Sequence, residues 1–218
     1  MSSNPEALLE EAVQLHQSSQ FEKGFKLAEK ARNAFLEDKK PERAVEALRV
    51  MADCTINQRN LDKAKQLYEE LLEEAPSKWY QSAASWGLGQ VAAHRMDYTA
   101  ASNWFRKGLN LAESIADQWY TAWNAFGLGN SLRGIGQLSE AKGNLQKALS
   151  SFQAQNQQAF ASWAKRAYSE IPGDAQLRDK EAKPWLCPLC GSRFSPELAQ
   201  RLRSGQMVAC EYCGTSIG

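Results

Sequence analysis

The chain has 218 residues, 43% hydrophobic and 23% charged, the values of a folded globular protein rather than a disordered or fibrous one. Lys and Arg number 26 against 25 Asp and Glu, a balance that argues against a dedicated DNA coat or a polybasic membrane binder. No run approaches the roughly 18 consecutive apolar residues of a spanning helix, and the opening MSSNPEALLEEAV has neither a basic n-region nor an apolar h-region, so the expectation is a soluble, cytoplasmic protein without a secretory signal.

Asn4-Pro5 supplies a cap and a first-turn proline for a first helix. A polar turn followed by a small residue then recurs along the chain: Gln20-Phe21-Glu22-Lys23-Gly24, Asn60-Leu61-Asp62-Lys63-Ala64, Asp97-Tyr98-Thr99-Ala100-Ala101 and Gln137-Leu138-Ser139-Glu140-Ala141. The small anchors Gly24, Ala64, Ala101 and Ala141 are 40, 37 and 40 residues apart. Lys78-Trp79-Tyr80 through Trp86-Gly87-Leu88-Gly89 is answered 40 residues later by Gln118-Trp119-Tyr120 through Phe126-Gly127-Leu128-Gly129. Helix formers dominate, and Leu67–Leu71 and Phe105–Leu109 keep i, i+4 spacing. Each unit therefore reads as a helix, a tight turn and a second helix, with the small anchor letting the pair approach closely. One further register shift lands on Phe160 and Trp163, so residues 157–170 read as a single capping helix. Cys54 stands alone in an apolar helical stretch and reads as a buried small hydrophobe.

Ile171-Pro172-Gly173-Asp174 breaks the helical pattern, and residues 171–184 read as a polar linker. Residues 185–218 are too few for a self-sufficient core. They carry Cys187, Cys190, Cys210 and Cys213 as C-x2-C-x19-C-x2-C, with Gly191 and Gly214 directly after each pair. Each Cys-x-x-Cys-Gly turn aims backbone amides at its thiolates, and the glycine permits the tight backbone. Four thiolates match one tetrahedral Zn²⁺ with no position left for water, so the site reads as structural. Iron in a rubredoxin-like site is the rival metal. A redox dithiol fits less well, since two pairs occur together without a βαβ pattern. Ser195 caps a short helix to about Arg203, and residues 206–209 read as a strand. Arg193, Arg201 and Arg203, with Phe194 and Tyr212, read either as a nucleic-acid contact or as solvated surface.

The repeated units resemble the tetratricopeptide repeat (TPR), whose pattern runs W-x2-L-G-x2-Y, then A-x3-F, then P. Leu88-Gly89 with Ala101-x3-Phe105, Leu128-Gly129 with Ala141-x3-Leu145, and Ala64-x3-Tyr68 followed by Pro76 match it. The first unit, with Gly24 and Ala28, is degenerate, and a period near 40 implies helices longer than the standard repeat's. The cysteine segment resembles a zinc ribbon. Together these imply an all-α protein: a right-handed TPR-like superhelix of about four helix pairs plus a capping helix over residues 1–170, then a zinc ribbon.

The resemblance implies a protein–protein interaction scaffold or adaptor, not an enzyme. His16 and His94 belong to different repeats and make no triad. Gly87-Leu88-Gly89 and Gly127-Leu128-Gly129 lie inside predicted helices without a following Lys-Ser/Thr, and read as sites of close contact rather than phosphate loops. The family places partners on the concave face of the first helices. In that register the exposed stripe runs Ala83, Trp86, Gln90, His94 on the third unit and Trp123, Phe126, Asn130, Arg133 on the fourth. The lysine and arginine clamp that grips terminal carboxylates in the family is absent, because Trp86 and Phe126 take its places. Residues 1–76 are net −4 and residues 77–170 net +4, and the second stretch holds 14 of the 21 aromatics. That pairing predicts an acidic and apolar peptide or helix as partner, meeting bases such as Arg95 and Arg133. The alternative is a nucleic-acid- or ribosome-associated factor acting through the ribbon.

Overall fold

The computed structural model describes residues 4–171 and 185–218. Among the described residues nine helices form the repeat array: α1 Pro5–Gln17, α2 Phe21–Glu37, α3 Pro41–Asn57, α4 Leu61–Glu74, α5 Lys78–His94, α6 Tyr98–Ser114, α7 Gln118–Gly134, α8 Leu138–Ala154 and α9 Gln158–Ser169. They are four antiparallel pairs closed by α9, as the repeat register predicts. The expected linker lies outside the described residues from 172 to 184, whereas Ile171 still joins the array core.

Side-chain caps start four of the nine helices. Asn4, Asn60, Asp97 and Asp117 accept hydrogen bonds from the amides of Glu6, Lys63, Ala100 and Tyr120, satisfying donors that the first turn leaves unpaired. Most corners end on a residue in the left-handed region: Ser19, Lys39, Arg59, Met96, Ala116, Gly136 and Asn156. Only one of these is glycine, although a side chain there costs about 1–2 kcal/mol. Ala116, at φ 55° and exposed, carries that cost with no visible return. Ala116→Gly should therefore raise the denaturation midpoint, corresponding to a gain of about 0.5–1 kcal/mol.

The first helices of neighbouring pairs touch one another, α1 on α3, α3 on α5 and α5 on α7. They form the inner layer. The second helices lie outside, joined by ion pairs such as Arg32 with Glu70 and Glu74, Arg106 with Glu140, and Lys147 with Glu113. The exposed pairs among these, Arg106–Glu140 and Lys147–Glu113, contribute about 0–1 kcal/mol each, so apolar burial holds the layers together. Two large clusters carry most of it, one running from Leu9 to Val91 and the other from Ala92 to Ile171, with a small third of Ala83, Ala112 and Tyr120.

The Gly-Leu-Gly triplets set the spacing between repeats. A Cβ on Gly87 would enter the Tyr68 ring of the preceding pair, and one on Gly127 would lie 2.5 Å from the Phe105 ring. The second glycine of each triplet receives its own pair's side chain: a Cβ on Gly89 would lie 2.6 Å from the Phe105 ring, and one on Gly129 2.7 Å from Leu145. Phe105 is thus held between Gly89 and Gly127, and only 1% of it is exposed. The room that these glycines leave serves outer-helix knobs, not the inner-face tryptophans.

The cysteine segment contributes α10 Pro196–Arg203, capped by Ser195 as expected, and a two-stranded antiparallel sheet of β1 Val208–Ala209 with β2 Ser216–Ile217. A bridge between Leu186 and Arg193 closes its first turn.

Candidate functional site

The two Cys-x-x-Cys turns meet as matching knuckles. Gly191 N–H donates to the Cys187 carbonyl at 2.8 Å and Gly214 N–H to the Cys210 carbonyl at 2.9 Å. Both glycines have positive φ, +69° and +73°, which is why each turn needs glycine there. Cys187 N–H then donates to Ser192 O and Cys210 N–H to Thr215 O, so the knuckles are alike in backbone design.

The four sulfurs all lie within 4.8 Å of one another. Cys187 Sγ is 3.5 Å from Cys213 Sγ, and Cys190 Sγ is 3.6 Å from Cys210 Sγ. A tetrahedron with metal–sulfur bonds of about 2.3 Å has edges of about 3.8 Å, whereas a disulfide needs about 2.05 Å. The arrangement therefore fits one tetrahedral ion and no disulfide. Ser192 Oγ lies 3.2 Å from Cys190 Sγ and Thr215 Oγ1 lies 3.3 Å from Cys213 Sγ, each hydroxyl placed to support a thiolate. The hydrogen bond from Cys187 lowers Cys210 to about 6, helped by the amides of Cys213 and Tyr212. Cys187 itself is pushed far up by its bonds to the other three sulfurs. A cation is what allows all four to ionise together.

The ribbon sits on the inner face of the array. Arg133, 2% exposed, donates to Gly191 O at 2.8 Å, to Asn130 Oδ1 at 3.1 Å and to Glu170 Oε2 at 2.7 Å. Burial pulls its pKa down, and Glu170 offsets part of that. The Tyr98 hydroxyl accepts from Leu186 N–H at 3.2 Å and faces Leu186 O at 3.4 Å. Arg166 stacks 3.9 Å over the exposed Tyr212 ring and donates to Glu170 at 3.0 Å. Met96 and Trp163 complete the ribbon's small core.

This docking corrects the expected exposed stripe. Offsets of 37 residues back, and 40 and 80 residues forward, from Ala83, Trp86 and Gln90 of α5 place Glu46, Arg49 and Asp53 of α3, Trp123, Phe126 and Asn130 of α7, and Trp163 and Arg166 of α9 with its C-cap Glu170 on one register, while Arg133 stands 39 residues after His94. The register holds, but the exposure does not. Trp123 is 8% exposed and Phe126 2%, because Phe152 and Phe160 close on Trp123 at 5.1 and 4.7 Å. Asn130 and Arg133 are covered by the first knuckle, and Ala83 and Gln90 are buried between helices. Trp86 and His94 alone keep partial exposure. The bases expected to meet an acidic partner are also engaged, Arg95 by Asp62 and Arg133 by Glu170.

Stripe residues on α3 escaped the sequence reading. Arg49 is clasped by Asp53 at 2.5 Å and Glu46 at 2.6 Å, and lies over the Trp79 ring. Tyr68 donates to the other Asp53 oxygen at 2.7 Å. Shifting the Trp86 register back by 37 residues finds Arg49, so the signal was available. Nearby, Trp86 Nε1, His94 Nδ1 and both terminal nitrogens of Arg59 are buried without a hydrogen-bond partner. Burial, then the charge of Arg59, lowers His94 to about 4, so the ring is neutral at pH 7. Cys54 is fully buried beside Gly24, as expected of a small hydrophobe, and burial pushes its thiol up to about 12.

Residues 80–154 match the family model described as tetratricopeptide repeat, a span covering nearly all of α5 through α8 and both Gly-Leu-Gly triplets. No curated protein matches the chain. With its stacked helix pairs, the array is a tetratricopeptide-type superhelix, followed by a segment whose four cysteines are positioned for metal binding.

Proposed function

We propose, from the tetratricopeptide repeats matched over residues 80–154, that the chain is a non-enzymatic protein-interaction scaffold whose inner face between α1 and α5 receives a segment of a partner protein. The observation that carries this reading is that Trp86 Nε1, His94 Nδ1 and the terminal nitrogens of Arg59 are buried without a hydrogen-bond partner, while Trp79 and Trp86 stay half-buried on α5. Buried donors are almost always satisfied in a finished core, and Trp and Arg are the commonest anchors of interfaces. The remaining inner face, over α7 and α9, is taken by the ribbon. Cys187, Cys190, Cys210 and Cys213 would hold one Zn²⁺, the usual ion of closed four-thiolate structural sites. The ion contributes folding free energy to a segment too small to fold by apolar burial alone. No helix of the described residues is long and apolar enough to cross a membrane.

Capture with the full chain, with and without nuclease, tests the reading. A bound protein should survive nuclease and be lost with Trp86→Ala, whose anchor is worth about 2 kcal/mol or roughly thirtyfold in affinity. Unchanged helical signal and metal content must accompany that loss. Binding that nuclease removes, or that falls steeply with added salt, would favour the ribbon's Arg193, Arg201 and Arg203 as a nucleic-acid contact and overturn the scaffold reading.

A further inference from the structure

We infer that the ribbon is a metal-dependent latch: with the ion bound it closes the C-terminal end of the array's inner face, and on losing the ion it lets go and uncovers that surface. The inference goes beyond the scaffold reading and needs no partner.

Three observations lead to it. First, the array grips the backbone of the metal knuckle itself. Arg133 reaches Gly191 O, and Tyr98 reaches both polar groups of Leu186, residues that flank Cys190 and Cys187. Gly191 seats so tightly that a side chain there would overlap the Asn130 amide. These atoms hold their positions only while the Cys-x-x-Cys turn keeps its shape, and a segment of this size keeps that shape through its ion.

Second, charge favours the loaded form. One divalent ion with four thiolates carries a net charge of −2, and the array turns Arg133 and Arg166 towards it. Arg133 holds the carbonyl of Gly191, the residue after Cys190, and Arg166 lines a small cleft with Cys210, Arg193, Glu211 and Tyr212. Arg133 also pairs with Glu170, so it remains satisfied in part when the ribbon leaves.

Third, the array does not need the ribbon to close its own core. Phe126, Phe152, Leu132 and Leu145 are buried by array helices and belong to the cluster of α5–α9. What the ribbon covers is a rim of polar or adaptable side chains, namely Asn130, Arg133, Tyr98, Met96 and Trp163. A surface of that composition tolerates water when it is uncovered.

Side-chain oxidation footprinting of the full chain tests the latch. Withdrawing the ion with a strong chelator should raise the modification rates of Met96 and Trp163 several-fold. Trp123, buried by α8 and α9, should not change, and the helical signal should hold. Restoring Zn²⁺ alone should reverse the effect. In a second arm, Tyr98→Phe with Arg166→Ala removes array-side contacts without touching the knuckles. Met96 and Trp163 should then open although one ion per chain is retained. Unchanged protection after chelation overturns the proposal, and so does collapse of the helical signal, because the ribbon would then be part of the array's fold. Should the double variant fail to fold, Tyr98→Phe alone must still raise the Met96 rate in the metal-loaded chain, and no rise counts against the latch.

Discussion

Phe105→Ala should lower the stability of the array by about 3–5 kcal/mol, read from the shift of its denaturation midpoint. The ring is 1% exposed and fills a slot between Gly89 and Gly127 that no neighbour can refill, since both walls are helix backbone. The reciprocal change, Gly127→Val, puts two methyl groups where the Cβ alone would already lie 2.5 Å from the ring. It should destabilise by a similar amount through overpacking. Combining Gly127→Val with Phe105→Leu should recover part of the loss, since the two act on one contact and cannot be additive. Additive losses would mean that the ring and the glycine are not in contact.

Cys190→Ser should cost the segment its ion and its fold together. Three thiolates and a hydroxyl bind a soft or borderline ion far less well than four thiolates, and the binding free energy, on the order of 10 kcal/mol or more, is folding free energy for such a segment. Elemental analysis of the purified variant should find well under one ion per chain. Amide exchange should become fast over residues 186–217, while the helical signal of the array falls little. Retention of a full ion and of exchange protection at Cys210 and Thr215 would show that the knuckles do not act as one site.

Repeat register and metal ligands were legible in the sequence because each rests on a spacing that the chemistry enforces. Gly24, Ala64, Ala101 and Ala141 are small because two helices cross there, and all four are buried. The cysteine pairs are two residues apart because one knuckle must present two sulfurs to one ion. Exposure of the inner stripe was not legible in that way. Periodicity tells which side chains share a face, but not what covers the face, and the knuckle that covers Arg133 lies 58 residues further on. One local signal did point to burial. Helix α7 carries no charge before Arg133, and 14 of its 17 residues are buried, as befits a helix apolar or small all round. The contact of Tyr98 with Leu186, 88 residues apart, left no trace in composition or spacing.

The sharing of outer-helix knobs between successive repeats bears on how such a chain can lengthen over evolution. Tyr68 and Phe105 need glycine from the repeat that follows them, so a duplicated unit is accepted only if it brings that glycine to the junction. The same register carries Gly127 forward to Ala167, which is 1% exposed, opposite a knob that has shrunk from Phe105 to Leu145. A methyl group thus stands where another repeat would have kept an open slot. A unit copied onto this junction would have to match a leucine knob with alanine rather than an aromatic ring with glycine.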